Sequence, residues 1–232
     1  MLETPERTRA ATTVTDLENS VLISFPICPF VARARIVALE KGIDIKVKFI
    51  DLTNKPKWFL ERSPTGTVPA LDTGTHFIFE SSVISEFIDE TSHGTLHPAA
   101  TSDRAVSRAW TEYAVKLLMP QYHMMTCGSQ AELDQNRSAF LAAMAKVENA
   151  IASGPFFNGQ DFAIVDAAYA PIFVRTRFLL TTYGIDLLAN VPKLRAWGNA
   201  LLERPSVQKI HGPEHYDQLK DHMSTRGSIL LN

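Results

Sequence analysis

Only two cysteines, Cys28 and Cys127, occur among 232 residues, and they lie far apart in the chain. Two such cysteines make no disulfide framework and suit a reducing compartment, so a cytoplasmic location is expected. Net charge is also scarce: 23 Lys and Arg stand against 25 Asp and Glu, a balance of −2. Nothing in that balance calls for nucleic acid or an anionic membrane as a partner. No apolar run approaches the length of about 18 residues that a membrane-spanning helix needs. The first nineteen residues carry Glu3, Glu6, Asp16 and Glu18 and have no apolar h-region, so no signal peptide is read there. Residues 1–19 are expected to be a lead-in rather than part of the fold. Internal repeats and low-complexity segments are lacking too. What is present is 45% apolar and 21% charged, which suits a globular chain with a sizeable core in one large or two modest domains.

The first third alternates between strand and helix patterns. Residues 21–25 are a short apolar run closed by Pro26, and 45–49 alternate apolar and polar. Between them, Phe30, Ala34, Val37 and Ala38 recur at helical spacing over 29–41, with Gly42 placed to end that helix. A short helix is expected at 57–62. Two more strands are expected at 68–71 and 76–79, joined by a turn at Asp72-Thr73-Gly74, and a helix starts near Ser81. The order β-α-β-α-β-β-α predicts a small mixed sheet with helices on its faces. Residues 92–103 read as a linker, and 104–232 as an all-helical domain. Its helices are marked by Trp110 to Leu118, by Phe140 to Ile151, and by residues 164–180, 192–202 and 213–223.

Cys28-Pro29-Phe30 falls where the first strand turns into a helix. A thiol there meets unpaired backbone N–H groups and the positive end of a helix dipole, which favour a thiolate and lower a cysteine pKa to roughly 3.5–7.5. Pro29 suits the first helical position, where its missing N–H costs nothing. The residue alone also fits a small buried hydrophobe. Later motifs separate the two readings.

Those motifs are Asn54-Lys55-Pro56-Lys57-Trp58-Phe59, the run from Ser63 through Val68-Pro69-Ala70-Leu71, and Glu80-Ser81-Ser82 opening a helix. With Cys28-Pro29-Phe30 they stand in an order that resembles the cytosolic glutathione transferases, in their cysteine-type branch related to the omega class. The resemblance covers residues 20–223. It implies a thioredoxin-like glutathione-binding domain at 20–91 with a mixed four-stranded sheet, a helical second domain, a cis proline at Pro69, and a homodimer. Glutathione is implied as co-substrate, with no metal. Val68 would offer its backbone N–H and C=O to the peptide-like ligand as an added strand does. Glu80 and Ser81 would take the zwitterionic γ-glutamyl head, Lys55 the glycyl carboxylate, and Phe30 would pack near the sulfur.

A cysteine at this place implies a mixed disulfide with glutathione, and with it thiol transfer, dehydroascorbate-type reduction or cleavage of glutathione thioethers. A conjugating transferase and a non-catalytic binding protein of the same shape are the alternatives. The second substrate, small and hydrophobic or a disulfide, is expected between the domains, near Tyr113, Leu117, Tyr122 and Tyr216. Two departures stand out. Val31 occupies the place of a second cysteine in a Cys-x-x-Cys pair, and Ala163 replaces the hydroxyl that usually caps a helix three residues before Asp166.

Overall fold

The computed structural model describes residues 14–231. The elements in chain order begin with α1 (Val14–Asn19), β1 (Val21–Ser24), α2 (Pro29–Glu40), β2 (Lys46–Phe49) and α3 (Lys57–Arg62). β3 (Ala70–Asp72), β4 (Phe77–Phe79) and α4 (Ser81–Thr91) complete the first unit. The second contains α5 (Thr101–Tyr113), α6 (Val115–Thr126), α7 (Gln130–Ala150), α8 (Ile164–Tyr183), α9 (Pro192–Leu202), α10 (Pro205–Ile210) and α11 (His215–Thr225). The residues 1–19 read as a lead-in fall partly outside the described residues. The rest forms α1, whose Leu17 is fully buried in the core.

The sheet order is β2-β1-β3-β4, with β1 parallel to β2 and antiparallel to β3, and β3 antiparallel to β4. This is the mixed four-stranded thioredoxin-like sheet that the motifs imply. Alternation along the strands divides the core. Leu22 and Leu71 face the main core with α2 and α4, while Ile23 and Ala70 face Phe59 of α3. β1 is central and buried, which is why Val21, Leu22 and Ile23 are all apolar rather than alternating.

Helix α8 forms the axis of the helical domain and is buried along nearly its whole length. Trp197 of α9 packs on Tyr169 and Phe173 of α8 at ring distances of 4.9 and 5.1 Å. Gly198 is required there, because a Cβ would lie 2.5 Å from the Phe173 ring. The domains are clamped by α2 against α8, and by Glu40 of α2, which accepts from Arg204 and from Ser206 of α10. Three boundaries differ from the expected ones. The stretch from Trp110 to Leu118 is two helices, α5 and α6, divided at Ala114. α10 is an additional short helix, and the linker ends at residue 100 because α5 starts at Thr101.

Candidate active site

Cys28 is the N-cap of α2, with φ −70° and ψ 116°, and Pro29 follows in the first turn. Its N–H donates to the Phe25 C=O at 3.1 Å and its C=O accepts the Ala32 N–H at 3.0 Å, so strand exit and helix entry both hold it. The half-buried Sγ lies 3.9 Å from the Val68 carbonyl oxygen. The Val68–Pro69 bond is cis, and β3 begins only at Ala70, which leaves Val68 outside the ladder beside the thiol. Lys55 approaches the same loop: a Cβ on Gly66 would stand 4.0 Å from its Nζ. Among the described residues the Lys55 ammonium has no carboxylate partner.

Ser81 opens α4 and is buried. Its Oγ accepts from Nε of Arg33 at 2.7 Å, which leaves the Ser81 hydroxyl proton free to donate outward. Arg33 is itself buried, lies over the Phe30 ring at 5.3 Å, and has Nη1 without a partner among the described residues. The exposed Glu80 is the N-cap of α4 at φ 68° and ψ 118°, alone among the described non-glycine residues in having a positive φ. Holding a side-chain-bearing residue there costs about 1–3 kcal/mol. We expect Glu80→Gly to stabilise the fold by about 1 kcal/mol, as read by the urea midpoint. A less stable variant would show that the backbone at Glu80 is not strained.

The electrostatics of Cys28 depart from the expectation of a lowered pKa. Burial pushes the thiol up. The N–H groups of Val31 and Phe30 and the guanidiniums of Arg175 and Arg33 pull it down without overcoming that effect. In the ligand-free site Cys28 is therefore a neutral thiol at pH 7.

A narrow interdomain cleft opens beside Cys28, walled by Phe25 and Ile27, by Arg35 of α2, by Pro171 and Arg175 of α8, and by His211 and His215. Arg175 is 4% exposed and donates from Nη2 to the Ile27 C=O at 2.9 Å. Burial lowers its guanidinium to about 10, so it remains charged at neutral pH. Burial also holds His211 at about 3 and His215 at about 4, and both are neutral.

The residues expected at the second-substrate pocket are dispersed. Tyr122 reaches toward His222 of α11, with Oη 3.3 Å from Nε2, and His222 in turn stacks edge-on to Phe25 at 5.9 Å. Tyr113 packs on Trp110 at 5.0 Å. Leu117 is fully buried in the core, where it has no open face, and Tyr216 packs on Phe178 at 5.1 Å. The neighbour of Tyr216, His215, lines the cleft instead. Sequence reasoning does not find Arg33, Arg175, His211 or His215. The i, i+4 spacing of the two histidines is the one available signal, and Arg175 gives none.

Both cysteines are free, and Cys127 sits buried at the end of α6. No group of three or more His, Cys, Asp or Glu among the described residues could hold a metal ion. None of their helices is long and apolar enough to cross a membrane.

Comparisons with known proteins bear on the family and the fold. A model of the glutathione S-transferase N-terminal domain matches residues 22–95, and one of the C-terminal domain matches residues 130–197. The omega-1 glutathione S-transferase of Rattus norvegicus is 30% identical over 186 residues, covering 78% of this chain and 76% of that protein. The crystal structure of glutathione transferase Omega 3C from Trametes versicolor matches with a TM-score of 0.76 at 26% identity, over 93% of this chain and 98% of that one. Rice GST1, solved in complex with glutathione, matches with a TM-score of 0.75 at 25% identity, over 89% and 96% of the two chains.

Proposed function

This chain belongs to the glutathione S-transferase family, and from that premise we propose that it is a glutathione-dependent thiol transferase that works through a mixed disulfide on Cys28. The observation that carries the reading is the Cys28 sulfur at the head of α2, 3.9 Å from the Val68 carbonyl. A peptide ligand paired with Val68 would bring its own sulfur to that thiol. Lys55, Val68, Pro69, Glu80 and Ser81 supply the groups such a ligand needs, and Phe30 covers the apolar side of the site.

The cycle is thiol–disulfide exchange. The Cys28 thiol loses its proton, and its sulfur attacks one sulfur of a disulfide. The old S–S bond breaks, a new one forms to Cys28, and the leaving thiolate takes up a proton. Glutathione thiolate then displaces the second half and occupies Cys28. A further glutathione attacks that adduct, releasing oxidised glutathione and the free thiol. Two glutathione molecules are oxidised for each disulfide reduced to two thiols. With a glutathionylated substrate the first attack places glutathione on Cys28 directly.

The test is intact mass after incubation with oxidised glutathione, for wild type and Cys28→Ala. One glutathione on the wild type and none on the variant is the expected result. An adduct that persists in Cys28→Ala would overturn the reading.

One observation favours a second reading. A neutral thiol at this place can donate a hydrogen bond to a glutathione thiolate, as a hydroxyl would, and the protein would then conjugate small electrophiles. A homodimer belongs to either reading. It is supported by Val83 of α4 and Val106 of α5, which are 52% and 56% exposed.

A further inference from the structure

Two buried guanidiniums flank Cys28, and among the described residues neither has a carboxylate within ion-pair distance. Removing a charge from water without a counter-charge costs several kcal/mol, so buried charges are normally paired. Arg33 stands on the Ser81 side, and the γ-glutamyl carboxylate of glutathione accounts for it. Arg175 is contributed by α8 of the helical domain and lines the interdomain cleft, where the glutathione reading assigns no group.

The surroundings of Arg175 are one-sided. Of its five N–H donors, one is used, toward the Ile27 C=O. The cleft it lines with Cys28 is also lined by Arg35, whose charge is partly offset by Asp44, and by His211 and His215, whose rings lie 4.7 Å apart. No Asp or Glu lines that cleft. Nδ1 of His211 is spent on the Val207 C=O at 2.9 Å. The room in this narrow cleft is about 10 Å³, close to that of one water molecule, so only a terminal oxygen of a substrate enters and its body stays outside.

We infer that the second substrate of Cys28 presents an anionic group, of carboxylate type, to Arg175, and that acidic disulfides are therefore the preferred class. The inference rests on the thiol-transferase reading. It adds what that reading leaves open: which disulfides are taken. The carboxylate supplies the missing counter-charge of Arg175 and holds the chain so that its disulfide lies over the Cys28 sulfur. The bonds made and broken are those of the exchange cycle, and the carboxylate is unchanged.

Three disulfides of similar chain length test it, with glutathione as reductant: dithiodipropionate (dianionic), hydroxyethyl disulfide (neutral) and cystamine (dicationic). Each kcat/KM is divided by the uncatalysed rate of that disulfide with glutathione. Wild type is expected to prefer the dianion over the neutral disulfide by about tenfold or more at low salt, with the dication last, and added salt should compress the series. Arg175→Gln should level the three, and Arg175→Lys should keep the order. Should a variant fail to fold, the wild-type series and its salt dependence still decide for or against the inference. Equal wild-type values overturn it and leave thiol transfer standing. A uniform fall of all three in Arg175→Gln also overturns it, because Arg175 would then act only on the Cys28 thiolate. Absence of turnover with every disulfide overturns the inference together with the reading beneath it.

Discussion

Cys28→Ser is expected to lower glutathione-dependent disulfide reduction by about 10³-fold or more, because a serine hydroxyl cannot form the covalent sulfur intermediate. The same variant should retain any conjugation of glutathione to small electrophiles, since a hydroxyl can donate a hydrogen bond to a glutathione thiolate. A variant that kept disulfide reduction and lost conjugation would reverse our assignment. The pH profile adds an independent check. Burial pushes the Cys28 thiol above its ordinary value, so below that pKa the thiolate fraction grows about tenfold per pH unit. Alkylation of ligand-free Cys28 by iodoacetamide should rise with pH and show no plateau at or below the usual cysteine range. A plateau near neutral pH would show that the helix terminus and the two guanidiniums outweigh burial. A high pKa does not make the nucleophile poor. Thiolate reactivity rises with basicity, with a Brønsted coefficient of about 0.4–0.5, so part of what is lost in population is regained in intrinsic rate.

The sheet and its helices were legible because their signals are local. Two-residue alternation at 45–49, an apolar run at 21–25 and helical spacing at 29–41 each mark an element whose neighbours in sequence are its neighbours in space. The mixed sheet with helices on its faces and the helical second domain follow from that order, and both are found. The break at Ala114 was not legible. Ala114 has φ −53° and ψ −30°, ordinary helical values, and the apolar spacing of Trp110, Leu117 and Leu118 runs through it unchanged. Nor was the cleft legible. Arg175 donates to Ile27, 148 positions away in sequence. Its role depends on how α8 meets the loop before α2, and no local pattern records that meeting. An arginine in a long apolar helix reads as a tolerated exception until its burial is known. The pKa of Cys28 was hidden for a related reason. The helix terminus was visible in Cys28-Pro29, whereas the burial that desolvates the thiol arises only from tertiary packing.

Asp166 shows the same dependence on tertiary context, and it carries the largest expected effect on stability. The sequence showed a capping box with one half missing, since Ala163 has no hydroxyl. The structure shows a fully buried carboxylate that does more than cap. It accepts the Ala163 N–H at 2.8 Å, the Phe157 N–H at 2.9 Å and the Trp197 indole N–H at 2.6 Å, tying the start of α8 to the preceding loop and to α9. Asp166→Ala leaves three buried donors unpaired. At about 1–3 kcal/mol for each, partly relieved by relaxation, a loss of about 3–6 kcal/mol is expected in urea unfolding. Asp166→Asn keeps the shape but sets an amide NH₂ against an N–H donor, and it should fall between. The pH dependence tests the assignment more sharply. Burial raises Asp166 to about 6 although its three N–H partners pull it down. The folded state therefore holds this proton more tightly than the unfolded chain does. The stability this group confers is complete below the unfolded value near 4 and is lost as pH rises toward 6, by about 3 kcal/mol. Subtracting the Asp166→Asn curve from that of wild type should expose this decline between pH 4 and 6, with other titrating groups cancelling. A difference curve that is flat across that window, or that rises with pH, would mean that the three N–H bonds hold Asp166 ionised throughout.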